Sequence, residues 1–327
     1  MSKKISPIEE IIQIRSRNTF NHRSYLLGYR LGALNDSFKK INQQSPKELL
    51  KYFPIGMVAC FEAYFRAIYE ELIDFGEPFS ENALEFSRRS QKLQIDLGFL
   101  KAIQSKTVTI GQIIAHQLPI SRLEHIDNAM SQLMGVKFIE KLSSTYDRVT
   151  VELEGKPKVP MIKELDKTLK YVDKTFELRH IYCHEAATSE ENVKPEIILE
   201  CHNHSNLFLK AVDQLVWNLV APNSPLTQSE MNKEASERFK IADRDMKEIY
   251  EKIMAKIRED RKKEFVVAQE TWEKFLKAEA EFYANEYRGG SLKPAVYGWA
   301  LERITRQRET DLKNLYDQIS DRRYHSK

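Results

Sequence analysis

The sequence contains little cysteine, with three such residues in 327. Cys60, Cys183 and Cys201 cannot all pair with one another, and their spacing matches neither a disulfide framework nor a Cys-x-x-Cys pair. This pattern argues against a disulfide-stabilised secreted domain and favours a reducing compartment.

Long apolar runs are also missing. No stretch approaches the roughly 20 apolar residues that a helix needs to span a bilayer, and the first ten residues lack the apolar core of a signal peptide. We therefore expect no membrane association and a cytoplasmic location.

Net charge is low as well: 51 basic and 48 acidic residues give +3, which neither requires nor excludes a polyanionic partner.

Glycine and proline are scarce, with 11 residues of each, and helical periodicity recurs along the chain. Strand-like alternation is limited to a weak candidate at 148–153. We therefore predict an all-α fold, a helical bundle followed by a C-terminal helical hairpin or bundle. Turn-forming and polar residues from Ala221 to Ser229 give the strongest boundary, which predicts domains at 1–222 and 230–327 joined by a linker at 223–229.

Three core helices are predicted in the first domain. One begins at Pro54, and another is opened by Lys194-Pro195. Between them, apolar residues at spacings of three and four predict a helix through Ile162, Leu165, Leu169, Val172 and Phe176.

The same spacing continues to Arg179 and then Cys183, which puts a guanidinium where a core side chain is expected. A buried arginine is costly unless it is paired or held at an assembly surface, so Arg179 is a functional candidate. His180 and His184 are four residues apart and share a helix face beside it. Imidazoles change charge near neutral pH, which suits them to proton transfer.

The hexapeptide 179–184 resembles the signature of HEPN ribonucleases, an arginine that is usually followed by a polar residue, with a histidine four to six residues later. Its place late in a helical domain, before one further long helix, adds to the likeness. The segment 52–66 is similar to an early helix of bacterial HEPN proteins. The resemblance covers most of residues 1–220.

The resemblance implies a homodimer in which two motifs form one cleft that cuts single-stranded RNA without a metal or other cofactor. Arg179 would hold the phosphate, His184 would act as base or acid, and His180 would orient either. Glu62 is a further candidate, because its apolar helix face calls for a partner such as Arg179, although an i,i+4 pair with Arg66 is the simpler interpretation. By family analogy the protein is a toxin or antiviral effector.

Two other interpretations remain open at this stage. In the first, the arginine and both histidines form a structural surface or a dimer contact, and the chain is a catalytically silent interaction or regulatory protein. In the second, residues of zinc-binding types on consecutive helices hold a metal. That set lacks the short spacing of structural zinc sites, so we predict no metal at Cys183, His184, Cys201, His202 and His204.

The first forty residues carry a local excess of five positive charges. A basic helix can follow an RNA backbone, and Tyr25 and Tyr29 add possible stacking surfaces. A solvated helix face is the alternative explanation. The residues that we predict to bind RNA are Arg15, Arg17, Arg23 and Arg30.

Residues from about Glu230 to Tyr316 resemble the LprI-type lysozyme-inhibitor family, through a run that includes Trp272 and the Gly289-Gly290-Ser291 turn. Where that family carries cysteines, this chain has Ala280 and Ala300, so the family's disulfide is absent. Lysozyme binding is therefore not expected. We predict instead a helical hairpin that aids dimerisation or binds a regulatory protein, packed around Trp272, Phe275, Phe282 and Trp299.

Overall fold

Helices make up the regular structure of the described residues, which are 5–17, 26–41, 46–90, 97–185 and 194–321. The structure, a computed structural model, places no strand in these ranges. The predicted all-α fold is confirmed.

Contacts divide the chain into two compact units, Met1–Pro222 and Asn223–Lys327. No helix in the described ranges is long and apolar enough to cross a bilayer.

The first unit opens with short helices and is built around three long ones. A π-helical turn, Leu26–Leu31, leads directly into the second helix. The described helices of this unit are α1 (Pro7–Arg17), α2 (Gly32–Lys39), α3 (Lys47–Phe75), α4 (Phe79–Ser90), α5 (Leu97–Gln104), α6 (Ile110–His116), α7 (Leu123–Met134), α8 (Phe138–Ser143), α9 (Arg148–Glu152), α10 (Leu165–His184) and α11 (Pro195–Val220).

The core of this unit lies where α3, α10 and α11 meet. Phe61 of α3 is completely buried, with its ring centroid 5.3 Å from that of Phe176 on α10 and 5.9 Å from that of Phe208 on α11. Burying one such side chain contributes about 1.5–3 kcal/mol. These aromatic contacts fix α10, which carries the candidate motif, against two neighbours.

The prediction that a helix begins at Pro54 is wrong, because α3 begins seven residues earlier, at Lys47. Pro54 lies inside the helix and is buried. Proline removes one helical hydrogen bond, and burial of the neighbouring Phe53, Met57 and Val58 offsets that loss.

The weak strand candidate at 148–153 is also wrong, because Arg148–Glu152 forms α9. The Asp147 side chain accepts hydrogen bonds from the backbone N–H groups of Val149 (2.9 Å) and Thr150 (3.3 Å). This N-cap favours a helix over a strand despite the β-branched residues.

The second unit consists of three long helices: α12 (Gln228–Lys256), α13 (Glu259–Asn285) and α14 (Lys293–Ser320). A capping box between Thr227 and Glu230 starts α12. At Gly298 the backbones of α14 and α12 approach closely, since a Cβ there would lie 2.8 Å from that of Ala235. Glycine therefore permits this helix crossing.

The predicted core of the second unit is only partly correct. Phe275 is 51% exposed and Phe282 is 69% exposed. Buried residues of α13 include Leu276 and Ala280, which pack with Leu301 of α14. The two phenylalanines lie one residue before and two residues after these positions, which places them on the solvent face of the helix.

Candidate functional site

The Arg–His cluster, defined as Arg179, His180 and His184, lies in the last two turns of α10. The two imidazole rings are 5.2 Å apart between centroids. His180 Nε2 is 3.9 Å from Glu185 Oε1, and the His180 side chain is 65% exposed. His184 is exposed at the last residue of the helix. Both imidazoles are therefore accessible to a ligand in solution.

Arg179 does not occupy the core position that its spacing predicted. Its side chain is 31% exposed, while the neighbouring Leu178 is buried. Because α10 packs against both α3 and α11, its buried surface is wider than a single stripe: Phe176 faces Phe61 of α3, and Thr175 Oγ1 lies 3.2 Å from Ser205 Oγ of α11. The last residues of the helix, Cys183 and His184, are exposed.

Glu62 pairs with Arg179, not with Arg66 as the simpler interpretation held. The distance from Arg179 Nη2 to Glu62 Oε1 is 3.6 Å, and both side chains are about 30% exposed. An exposed pair of this kind contributes little stability, about 0–1 kcal/mol. The pair directs the guanidinium toward α3.

A cavity of about 620 Å³ lies beside this pair, and we call it the arginine cleft. Small residues at four-residue intervals on α3 leave the space open, namely Ala59, Ala63 and Ala67. Its polar and apolar walls come from α1, the π-helical turn, α3 and α6, through Ile11, Ile14, Arg15, Arg17, Arg30, Glu62, Arg66, Glu70, Gln112, Ala115 and His116.

Three of the four arginines predicted to bind RNA therefore line one cavity: Arg15, Arg17 and Arg30. Arg23 and Tyr25 lie outside the described residues. Tyr29, the other predicted stacking residue, is 69% exposed.

Several charged groups of the cleft have specific neighbours. Arg15 Nη1 donates to the Thr107 carbonyl at 3.1 Å. Burial raises the pKa of the Glu70 carboxyl, and a hydrogen bond from Gln112 (2.9 Å) partly offsets this rise. Burial likewise raises the pKa of the Cys60 thiol, which Arg30 opposes through its charge and a hydrogen bond.

The sequence interpretation missed the part that Arg66 and Glu70 play in this cavity. With Glu62 they recur every four residues on α3, which places them on one helix face. That spacing beside alanines at 59, 63 and 67 was the available signal. The contribution of α6, through His116, had no signal in the sequence because it depends on tertiary packing.

The residues weighed for zinc are dispersed. Cys183 is exposed and Cys201 is buried, and the His202 ring stacks on Phe38 with centroids 4.2 Å apart. His204 Nδ1 lies 2.9 Å from Thr168 Oγ1. In the described part of the chain, no three His, Cys, Asp or Glu side chains are arranged to hold a metal ion.

His204 also takes part in a chain of polar contacts between α10 and α11. Its Nε2 is 3.3 Å from Glu200 Oε2, so hydroxyl, imidazole and carboxylate follow one another from Thr168 to Glu200. Thr168 is completely buried and inaccessible to a substrate. The arrangement therefore fastens α10 to α11 and does not provide a nucleophile.

Comparison with known families identifies the second unit. The family described as Lysozyme inhibitor LprI matches residues 221–312. Residues 221–312 are an LprI-like domain. The predicted resemblance is confirmed, with a match that begins nine residues before Glu230. Ala280 and Ala300 of this LprI-like domain lie in one buried cluster.

No curated protein and no solved structure matches the chain. The resemblance of residues 1–222 to HEPN ribonucleases stays a prediction. So does the assignment of catalytic roles to the Arg–His cluster.

Proposed function

We propose that the first unit is a metal-independent endoribonuclease that acts on single-stranded RNA as a homodimer. The observation that supports this most is the Arg–His cluster at the end of α10, with two accessible imidazoles 5.2 Å apart and an arginine on the same helical turns whose side chain is 31% exposed. This set contains the groups that RNA cleavage at a ribose 2′-hydroxyl requires: a base, an acid and a cation.

In the proposed reaction, the 2′-oxygen attacks the adjacent phosphorus while one neutral imidazole takes the hydroxyl proton. A protonated imidazole gives its proton to the departing 5′-oxygen as the P–O5′ bond breaks. Arg179 stabilises the extra negative charge on the phosphate through its planar donors. The products are a 2′,3′-cyclic phosphate and a 5′-hydroxyl. The two imidazoles are those of His184 from each protomer, and His180 orients them.

The homodimer is part of the proposal because the cluster lies on an exposed helix end. Two copies facing each other across a two-fold axis would enclose the phosphate between two guanidiniums and four imidazoles. The proposed cytoplasmic location rests on the cysteine pattern and the lack of long apolar runs, and the proposed toxin or antiviral role rests on analogy with HEPN ribonucleases. We further propose that the LprI-like domain binds a regulatory protein that restrains or targets the activity.

The simplest test uses the purified full chain with labelled single-stranded RNA and DNA of matched sequence. We expect cleavage of RNA alone, because DNA lacks the attacking 2′-hydroxyl, and we expect it to persist in excess EDTA. Loss of activity in EDTA that zinc restores would contradict the metal-independent mechanism. Intact RNA would contradict the enzymatic proposal.

The second candidate function is a catalytically silent interaction protein. The Arg179–Glu62 pair favours it, since it joins α10 to α3 and gives the arginine a structural role. The same cleavage assay separates the two candidates, because a silent protein leaves RNA intact at any concentration.

Assembly is tested by light scattering on the intact chain. We expect twice the 38.3 kDa of one chain at the concentration used for cleavage. A thiol reagent with two bromoacetyl or two maleimide groups should then cross-link the exposed Cys183 side chains of the two chains, because Cys183 lies between the motif residues. A monomer that retains full activity would contradict the composite site.

A further inference from the structure

We propose that the arginine cleft binds the phosphate group of a nucleotide. Its volume of about 620 Å³ lies within the range of sites that enclose small ligands, about 300–1,000 Å³. This binding does not depend on RNA cleavage, and the Arg–His cluster does not line the cavity.

The charges around the cleft leave an excess of arginine. The Glu62 carboxylate pairs with Arg179 outside the cavity (3.6 Å), and His116 pairs with Glu10 (3.3 Å). Glu70 accepts a hydrogen bond from Gln112 and lies near enough to Arg15 for their charges to interact.

The remaining cations are Arg17, Arg30 and Arg66. Among the described residues, no carboxylate forms an ion pair with any of them. Arg17 Nη2 donates to the neutral Gln13 side chain at 3.4 Å. Three guanidiniums around one cavity match the charge and the many acceptor oxygens of a phosphate.

Arg66 provides an independent sign of a missing acceptor. Its Nε is buried and has no hydrogen-bond partner among the described residues. A buried donor without a partner is costly, and such groups in proteins usually bind a ligand or a solvent molecule. A phosphate oxygen in the cleft would accept this bond.

The apolar residues of the same cavity indicate that the ligand is more than inorganic phosphate. Ile11 is buried and Ile14 is partly exposed, and with the alanines of α3 they form an apolar wall beside the arginines. A nucleotide has the matching combination of an anionic phosphate and a flat, largely apolar base.

Isothermal titration calorimetry with the intact chain tests the proposal. The probes are AMP, inorganic phosphate and a 2′-O-methyl RNA trinucleotide, which cannot be cleaved through a 2′-hydroxyl. We expect AMP to bind more tightly than inorganic phosphate. Arg66→Met should weaken AMP binding at least about tenfold, since a hydrogen bond to a charged partner is lost.

Because Arg66 is partly buried, its substitution risks disturbing the fold, and a second variant avoids this. Arg17 and Arg30 are exposed, so Arg17→Gln with Arg30→Gln should leave the unfolding midpoint unchanged and also weaken AMP binding at least about tenfold. The matched control is Arg122→Gln, an exposed arginine on α7's N-terminal side that does not line the cleft. It should bind AMP like the wild type.

The oligonucleotide distinguishes the source of the phosphate. Trinucleotide binding at least about tenfold tighter than that of AMP, and weakened by Arg17→Gln with Arg30→Gln, would assign the cleft to an RNA strand, whereas trinucleotide binding that the double variant leaves unchanged would assign the cleft to a free nucleotide and the RNA to another surface. Wild-type affinity for AMP in the double variant, or no binding of either ligand, would overturn the proposal. His184→Ala should bind AMP like the wild type. AMP binding therefore tests the cleft separately from RNA cleavage, and failure of one proposal can be told apart from failure of the other.

Discussion

His184→Ala is expected to lower the rate of RNA cleavage by about 100-fold or more, the usual contribution of one proton-transfer group. The side chain is exposed at the end of α10, so the free energy of unfolding should stay within about 0.5 kcal/mol of the wild type. The measurement is the single-turnover rate with saturating enzyme. It reports the chemical step and not RNA binding.

Two further variants show whether a loss of cleavage is specific to the Arg–His cluster. Arg179→Lys keeps the charge but loses the planar donor pair, so it should also be severely impaired. His125→Gln removes a half-buried histidine that contacts Ser121, far in sequence from the cluster, and should retain full activity. Equal rates for His184→Ala and the wild type would remove His184 from the mechanism.

Acid is expected to destabilise the first unit through His202. This ring is buried among apolar groups, its Nδ1 has no hydrogen-bond partner, and burial lowers its pKa from 6.5 to about 4. The unfolded chain therefore binds the proton first as the pH falls. The stabilisation is complete above pH 6.5 and is lost between pH 6.5 and 4, by about 2 kcal/mol at pH 5 and about 3 kcal/mol at pH 4.

Urea unfolding at pH 7.5, 5 and 4 measures this loss. His202→Phe keeps a ring against Phe38 and removes the titrating group, so the extra acid sensitivity should disappear. His125→Gln should retain it. Identical pH profiles for the wild type and His202→Phe would show that other groups cause the acid sensitivity.

The acid effect bears on the proposed site because His202 packs beside a buried apolar group that holds α10 in place. Phe53 lies 6.2 Å from the His202 ring between centroids, and Phe53, Leu178 and Cys201 belong to one buried group. Leu178 precedes Arg179 directly. Protonation of His202 should therefore weaken the packing that positions the Arg–His cluster.

The sequence was sufficient to predict the all-α fold and the start of α11. Lys194-Pro195 does begin α11, because proline at the first helical turn needs no N–H partner. The end of α12 at Lys256 is not marked by a glycine or a proline, so no turn signal in the sequence predicts it.

The candidate site could be predicted only in part. The stripe through Val172 and Phe176 located α10, but it also placed Arg179 in the core, since one sequence stripe cannot show that α10 packs on two sides. The pairing of Glu62 with Arg179 and not Arg66 depends on how α3 and α10 cross. The arginine cleft requires α1, α3 and α6 to meet, so the sequence supplied its cations but not their common cavity.

The chemical ends of the RNA products test the central claim most directly, because they report which oxygen attacked the phosphorus. Mass spectrometry of a short RNA cut by the wild-type chain in EDTA should show a 2′,3′-cyclic phosphate on one fragment and a 5′-hydroxyl on the other. His184→Ala should yield little of either. Fragments with a 5′-phosphate and a 3′-hydroxyl would show that water, and not the 2′-hydroxyl, was the nucleophile, which would contradict the proposed mechanism.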